Sequence, residues 1–342
     1  MSETTFVYLI TGFLGSGKTT FLNRIIDRFP KNKKLMILMN EFGEIGVDGT
    51  LIENDDLEMM EISKGSIFCV CVKTDFIKGL YQIANAVAPD VLIIESTGVA
   101  NPSDLKRDLK LSLFKNRFQF RDQFCIIDAR NFLDAYETYT AIEKQITSST
   151  CFLINKVDLA TPEIIENVKS VVRNFHPAPE FYETTYADIP LEKFFLDQSA
   201  ADESGKATLP AGSDQPPLNA EQLDRYLEEM MDIITAEMVP PDCLMSAVYR
   251  WTGDDIKQVE ALADRLPSSI LRSKGFLAYR GGNYLFSYVM GDWSIEKCEV
   301  PSDRIQHKNI LVFIGPPESI ASLEGIEEGG NWIKVSTFKP MG

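Results

Sequence analysis

One stretch constrains this chain more than any other: FVYLITGFLGSGKTTFLNRIIDRF, residues 6–29. It opens on an unbroken apolar run, residues 6–10, with the length and composition of a buried strand. It then passes through Gly12, Gly15 and Gly17 to Lys18, Thr19 and Thr20, and continues at helical spacing. Residues 12–19 satisfy G-x-x-x-x-G-K-[ST], with strand before and helix after, the context a phosphate-binding loop requires. Glycines let backbone N–H groups wrap a phosphate with no Cβ in the way. A helix N-terminus adds unpaired N–H groups and partial positive charge. Lys18 is placed to reach the outer phosphates and to act in their transfer, and the Thr19 hydroxyl is suited to Mg²⁺. Ser16 and Thr20 complete the loop. The pattern implies a nucleoside triphosphate.

Downstream apolar runs each end in a polar loop. Residues 34–39 lead into the acid- and glycine-rich loop 40–49, and 91–94 into Glu95-Ser96-Thr97-Gly98. Residues 124–127 lead into Asp128, and 151–154 into Asn155-Lys156-Val157-Asp158. Helical spacing over 75–86, closed by Pro89, and the start signal Thr161-Pro162-Glu163 fall between or after them. Strands alternating with helices predict an α/β fold, a P-loop NTPase parallel sheet flanked by helices, with the polar loops gathered at one sheet edge.

The pattern breaks at residues 197–219, which are small, polar and rich in Pro and Gly, and read as a flexible linker. Asn219 and Gln222 form a capping box, followed by Leu223, Tyr226, Leu227, Met230, Ile234 and Met238 at helical spacing. Candidate strands at 245–250, 270–279, 284–290 and 310–314, a helix at 254–266 and a turn at Gly281-Gly282-Asn283 predict a smaller C-terminal α+β domain. The expected organisation is 1–196, a nucleotide domain; 197–219, a linker; and 220–342, a second domain with a leading helix.

The loops carry the chemistry. Asn155-Lys156-Val157-Asp158 selects the base. A carboxylate in the guanine plane accepts from both the ring N–H and the exocyclic amine, donors adenine does not present together. Asn155 would bond the base and organise its loop, with the Lys156 stem over the base face. This makes the expected ligand GTP. Glu95 stands where such a site places an acid near Mg²⁺ and the γ-phosphate, and Gly98 admits the backbone to that phosphate. In loop 40–49, Glu41, Glu44 and Asp48 are candidates to hold Mg²⁺ directly or through water, to position the attacking water, or to bind a second metal. Cys69 and Cys71 are spaced i, i+2: on a strand both thiols share a face, and in a turn they could chelate Zn²⁺ or another transition metal such as Co²⁺ or Ni²⁺. Two thiols do not complete a tetrahedral site, and buried inert thiols are the alternative reading.

Lysine plus arginine number 34 against 50 acids, a net charge of −16, which argues against nucleic-acid or anionic-membrane partners. No apolar run approaches the ~18 residues of a bilayer span, and residues 1–5 lack a basic leader, so a cytoplasmic location is expected. The six cysteines are then expected reduced.

In order, GFLGSGKTTFLNRI, NEFGEIGVDG, GSIFCVC, IIESTGVANP and NKVD resemble the CobW-type GTPases, and ILRSKGFLAY and NILVFIG resemble the strands of that family's second domain. The resemblance implies a SIMIBI-class P-loop GTPase that couples slow GTP hydrolysis to handling a metal or inserting it into a client, a metalloenzyme or corrinoid protein, with a homodimer possible. The chain departs from the family's G-C-x-C-C element: Ser66 and Phe68 stand at two of the cysteine positions. The alternative is a GTP-dependent switch that docks on a client without binding a transition metal. A small-molecule kinase is disfavoured by the N-K-x-D loop and the second domain.

Overall fold

The computed structural model describes residues 4–41, 58–63, 70–96, 102–114, 117–195, 218–219, 221–227, 244–300, 305 and 307–338. The chain divides into two compact units, the second beginning in its main part at Pro240.

The first unit is built on a seven-stranded sheet ordered β3-β2-β4-β1-β5-β6-β7. Its strands are β1 (Thr5–Thr11), β2 (Leu35–Glu41), β3 (Glu58–Ser63), β4 (Val91–Glu95), β5 (Phe118–Asp128), β6 (Cys151–Asn155) and β7 (Glu180–Thr184). The ladders joining β2, β4, β1, β5, β6 and β7 are parallel. A parallel strand covered on both faces loses polar alternation, and here β4 and β6 are buried at every residue. The helices are α1 (Lys18–Arg28), α2 (Val70–Gln82), α3 (Pro102–Asp108), α4 (Phe132–Thr138), α5 (Thr140–Ser148), α6 (Pro162–Arg173) and α7 (Glu192–Phe195). On α1, Phe21, Leu22, Ile25 and Ile26 form the buried stripe. Phe21 meets Phe124 of β5 edge-on at 5.1 Å, and Phe124 meets Phe194 of α7 at 4.8 Å. These contacts seat α1 against the sheet. Strand β1 is central, and the strand order departs from it in both directions, the arrangement that opens a ligand crevice at the carboxyl edge.

Helix α2 begins at Val70 and runs into a π-helical turn, Ile83–Val87. It therefore starts five residues before the position the periodicity predicts, and Cys71 lies in its first turn. The extended arrangement considered for Cys69 and Cys71 does not hold at Cys71. The predicted capping box is present: Gln222 N–H donates to Asn219 Oδ1 at 2.9 Å, and Asn219 N–H to Gln222 Oε1 at 3.0 Å. The helix it starts, α8 (residues 221–227), buries Leu223 and Leu227 in one cluster with Phe76, Leu80 and Ile83 of the first unit. Asp224 pairs with Lys78 of α2 at 2.6 Å. Met230, Ile234 and Met238 lie outside the described residues, as does most of the 197–219 stretch.

The second unit carries a six-stranded antiparallel sheet ordered β11-β10-β9-β12-β8-β13. Its strands are β8 (Met245–Trp251), β9 (Arg272–Tyr279), β10 (Gly282–Val289), β11 (Asp292–Cys298), β12 (Ile310–Gly315) and β13 (Trp332–Phe338), with helices α9 (Lys257–Ala263) and α10 (Pro317–Ala321). Tyr249, Trp251, Leu277, Phe286, Tyr288 and Phe313 fill its core. The hairpin turn differs by one residue from the sequence reading. Arg280 (φ 45°) and Gly281 (φ 75°) make it, while Gly282 and Asn283 already pair with Tyr279 and Ala278. Two positive φ values match the twist of the flanking strands. No described helix is long and apolar enough to cross a membrane.

Candidate functional site

The loop between β1 and α1 is held in the backbone shape its glycines permit. Gly12 has φ 144° and Gly17 φ 107°. A Cβ on Gly12 would stand 2.2 Å from the Ile126 carbonyl oxygen, and one on Gly17 would stand 2.5 Å from Asn155 Nδ2. Only glycine fits either position. Lys18 opens α1 and is buried, with Nζ donating to the Gly12 and Phe13 carbonyls at 3.0 and 3.3 Å. Ser16 is buried, Gly15 and Thr19 are half-buried, and Thr20 is exposed. A buried ammonium, a run of backbone N–H groups and a helix N-terminus of eleven residues form a donor set that fits a polyphosphate.

The second loop follows β6. Asn155 is buried, and its side chain joins two other loops: Nδ2 donates to the Ser16 carbonyl at 2.8 Å, and Oδ1 accepts from Ala187 N–H at 2.9 Å. Of the two roles considered for Asn155, these bonds serve the organising one. Asp158 is exposed, and its Oδ1 accepts from the Thr185 hydroxyl at 3.1 Å. Lys156 stands between them with φ 61°, a left-handed conformation that costs a non-glycine residue about 1 kcal/mol. Its Nζ lies 2.6 Å from Asp128 Oδ2.

The loop after β7 carries no motif, yet it completes this edge. Tyr186 (φ 55°) and Ala187 (φ 53°) are successive left-handed residues. Arg24 of α1 donates to the Tyr186 carbonyl, and Asp188 pairs with Arg24 at 3.5 Å and Arg28 at 2.8 Å. Helix α1 thus grips this loop from one side while Asn155 and Asp158 hold it from the other. Tyr186 itself is 70% exposed. Asp128 and residues 184–188 had no role in the sequence reading. Asp128 had a usable signal, since it ends an apolar strand as Glu95 and Asn155 do.

Glu95 ends β4, buried, in register with Ile10 of β1 and Met39 of β2. Ser96 N–H donates to the Ile10 carbonyl at 2.9 Å. Glu41 is the last residue of β2, which runs parallel to β4, so it ends at the same carboxyl edge of the sheet as Glu95. Asp48, Glu44, Gly98, Cys69, Ser66 and Phe68 lie outside the described residues. Among the described residues, no group of three or more His, Cys, Asp or Glu side chains is placed to hold a metal ion. Cys125 and Cys151 are free and buried. Burial pushes the Cys125 thiol up to about 12, partly offset by a hydrogen bond with Ser149 and by the Lys18 charge. Burial, reinforced by Glu180, raises Cys151 further. Neither is a thiolate at neutral pH.

Residues 6–183 match the family described as CobW/HypB/UreG, nucleotide-binding domain, and residues 247–325 match the cobalamin synthesis protein cobW C-terminal domain. The chain is 35% identical over 156 residues to the zinc chaperone YeiR of Escherichia coli K12, covering 45% of this chain and 47% of that protein. It is 30% identical over 203 residues to zinc-regulated GTPase metalloprotein activator 1 of Schizosaccharomyces pombe, covering 57% and 49%. It is 21% identical over 308 residues to the protein of that name in Dictyostelium discoideum, covering 79% and 62%. The chain therefore spans between about half and under two thirds of the length of these relatives.

Proposed function

This chain belongs to the CobW/HypB/UreG family, and we propose that it binds and hydrolyses GTP and couples that cycle to handling zinc or another transition metal for a client metalloprotein. The observation that supports the nucleotide part is the Asn155 bridge, which ties the loop at Ser16 to the loop of Ala187 and would hold a base and its phosphates in one arrangement. Gly12, Gly15, Ser16, Gly17, Lys18, Thr19 and Thr20 would cradle the phosphates, with Gly98 near the γ-phosphate. Asp158, already oriented by Thr185, would accept from the guanine edge, with the Lys156 stem over the ring face.

Thr19 would hold Mg²⁺, with Glu41 or Asp48 completing its shell. The ion would neutralise charge on the β- and γ-phosphates. Lys18 would stabilise charge on the transferring phosphoryl group, and Glu95 or Asp48 would orient the attacking water. Cys69 and Cys71 would supply thiolates to the cargo metal, with acids or water filling the remaining positions. The zinc-linked names of the relatives support this cargo. Ser66 and Phe68, which lack metal-binding thiols, favour the second reading, a GTP switch that docks on a client without carrying metal.

Zinc titration with and without GTP·Mg²⁺, for wild type and Cys69→Ser/Cys71→Ser, decides between the two. The metallochaperone reading predicts stoichiometric binding that depends on the thiols and responds to nucleotide. No stoichiometric binding, or binding indifferent to both thiols, would sink the metallochaperone reading and leave the docking switch.

A further inference from the structure

We propose that Asp128 is a positioning residue for the base-binding loop, acting through Lys156. The inference rests on the proposal that residues 155–158 take a guanine base.

Asp128 ends β5, and its register partner on β6 is Asn155, so its carboxylate stands one strand away from the loop it serves. Ala129 N–H donates to the Asn155 carbonyl at 2.9 Å, which locks the two strand ends together. The Asp128 side chain is 7% exposed and meets three donors. Two are local: Arg130 N–H reaches Oδ1 at 3.0 Å and Asn131 Nδ2 reaches Oδ2 at 3.3 Å. These shape the turn into α4, as an aspartate at a strand end commonly does. The third is Lys156 Nζ at 2.6 Å, which comes from the loop after the next strand and has no part in that turn.

The consequence falls on the lysine stem. A lysine loses considerable rotamer freedom when it is held in place, and one anchored at its ammonium presents its methylenes in a fixed direction. Lys156 is held at both ends, by a left-handed backbone at φ 61° and by the Asp128 carboxylate. A ligand that packs on the stem then meets a surface already ordered and does not have to order it on binding. Asp128 needs no contact with the nucleotide to have this effect.

An asparagine at 128 keeps the shape and an acceptor for the local turn but removes the charge that holds the ammonium. The test is a cycle of GTP dissociation constants and steady-state kinetics for wild type, Asp128→Asn, Lys156→Met and the double variant. Each single change is expected to weaken GTP about tenfold, the order of one charge-assisted hydrogen bond. The double variant is expected to be no weaker than Lys156→Met alone. The loss is expected in KM, with kcat at saturating GTP changed far less. Multiplying effects in the double variant, or an unchanged constant for Asp128→Asn, would overturn the inference. Should Asp128→Asn fail to fold, Lys156→Arg against Lys156→Met asks the same question: arginine keeps the pair and should keep the affinity, and equal affinities would overturn it. A wild-type chain that fails to bind GTP would instead sink the nucleotide proposal itself.

Discussion

Asn155 and Ser16 lie 139 positions apart in the chain, yet the Asn155 amide donates to the Ser16 carbonyl at 2.8 Å in a buried contact. The same side chain accepts from Ala187 N–H at 2.9 Å. One amide therefore joins the loop after β1, the loop after β6 and the loop after β7, and on the proposed function it would set the spacing between a base and its triphosphate before a nucleotide arrives. Asn155→Ala would leave a buried carbonyl and a buried N–H without these partners, at about 1–3 kcal/mol each. The expected result is a lower urea midpoint together with at least tenfold weaker GTP binding. A variant that lost stability but kept its GTP affinity would show the bridge to be structural only.

Gly17 tests the same contact from the other side. Its Cβ would fall 2.5 Å from Asn155 Nδ2, and its φ of 107° is strained for any L side chain. Gly17→Ala should fold with reduced stability and lose GTP binding by two orders of magnitude or more. Calorimetric titration of GTP into the folded variant reads the effect directly, and near-wild-type affinity would contradict the described loop geometry.

The two buried thiols make a pH prediction. Burial pushes the Cys125 thiol from its ordinary value of 9.0 up to about 12 in the folded chain, and burial raises Cys151 in the same direction. Below about pH 9 both states keep the protons and the thiols are neutral to stability. Above it the unfolded chain ionises and the folded one does not, so stability falls as pH rises toward 12. At pH 10.5 the loss at Cys125 is about 2 kcal/mol. Urea midpoints at pH 8 and 10.5 should diverge less in Cys125→Ala than in wild type. Both thiols should also resist a thiol reagent in the native protein, and rapid labelling of either would refute the burial argument.

Helix α8 offers a stability prediction. Leu227 is 2% exposed in the cluster with Phe76 and Leu80. Leu227→Ala should cost about 2–5 kcal/mol, as truncations in packed cores do. A loss under about 0.5 kcal/mol in chemical denaturation would mean that α8 is not fastened to the first unit.

What the sequence made legible follows from burial. Strands β1, β2, β4, β5 and β6 are interior strands of the parallel sheet, and their two covered faces appear as apolar runs. The strands left unpredicted, β3, β7, β11 and β13, are the four edges of the two sheets. An edge strand is covered less and carries polar residues, as Glu180–Thr184 and Asp292–Cys298 do, so its run breaks up. The site divides in the same way. Loops with a fixed motif, at Gly12–Thr19 and Asn155–Asp158, could be read in order along the chain. The hydrogen bonds from Ala187 to Asn155, from Thr185 to Asp158 and from Lys156 to Asp128 join residues 27 to 32 positions apart, and only the folded sheet edge brings them together.

The most direct test of the central claim is the base preference of Asp158. Wild type should bind GTP well in excess of ATP and xanthosine triphosphate. Asp158→Asn should weaken GTP by at least tenfold and gain xanthosine triphosphate, whose 2-carbonyl replaces the guanine amine and prefers a donor. An unchanged order of affinities in the variant, or wild-type binding of ATP equal to that of GTP, would contradict the account.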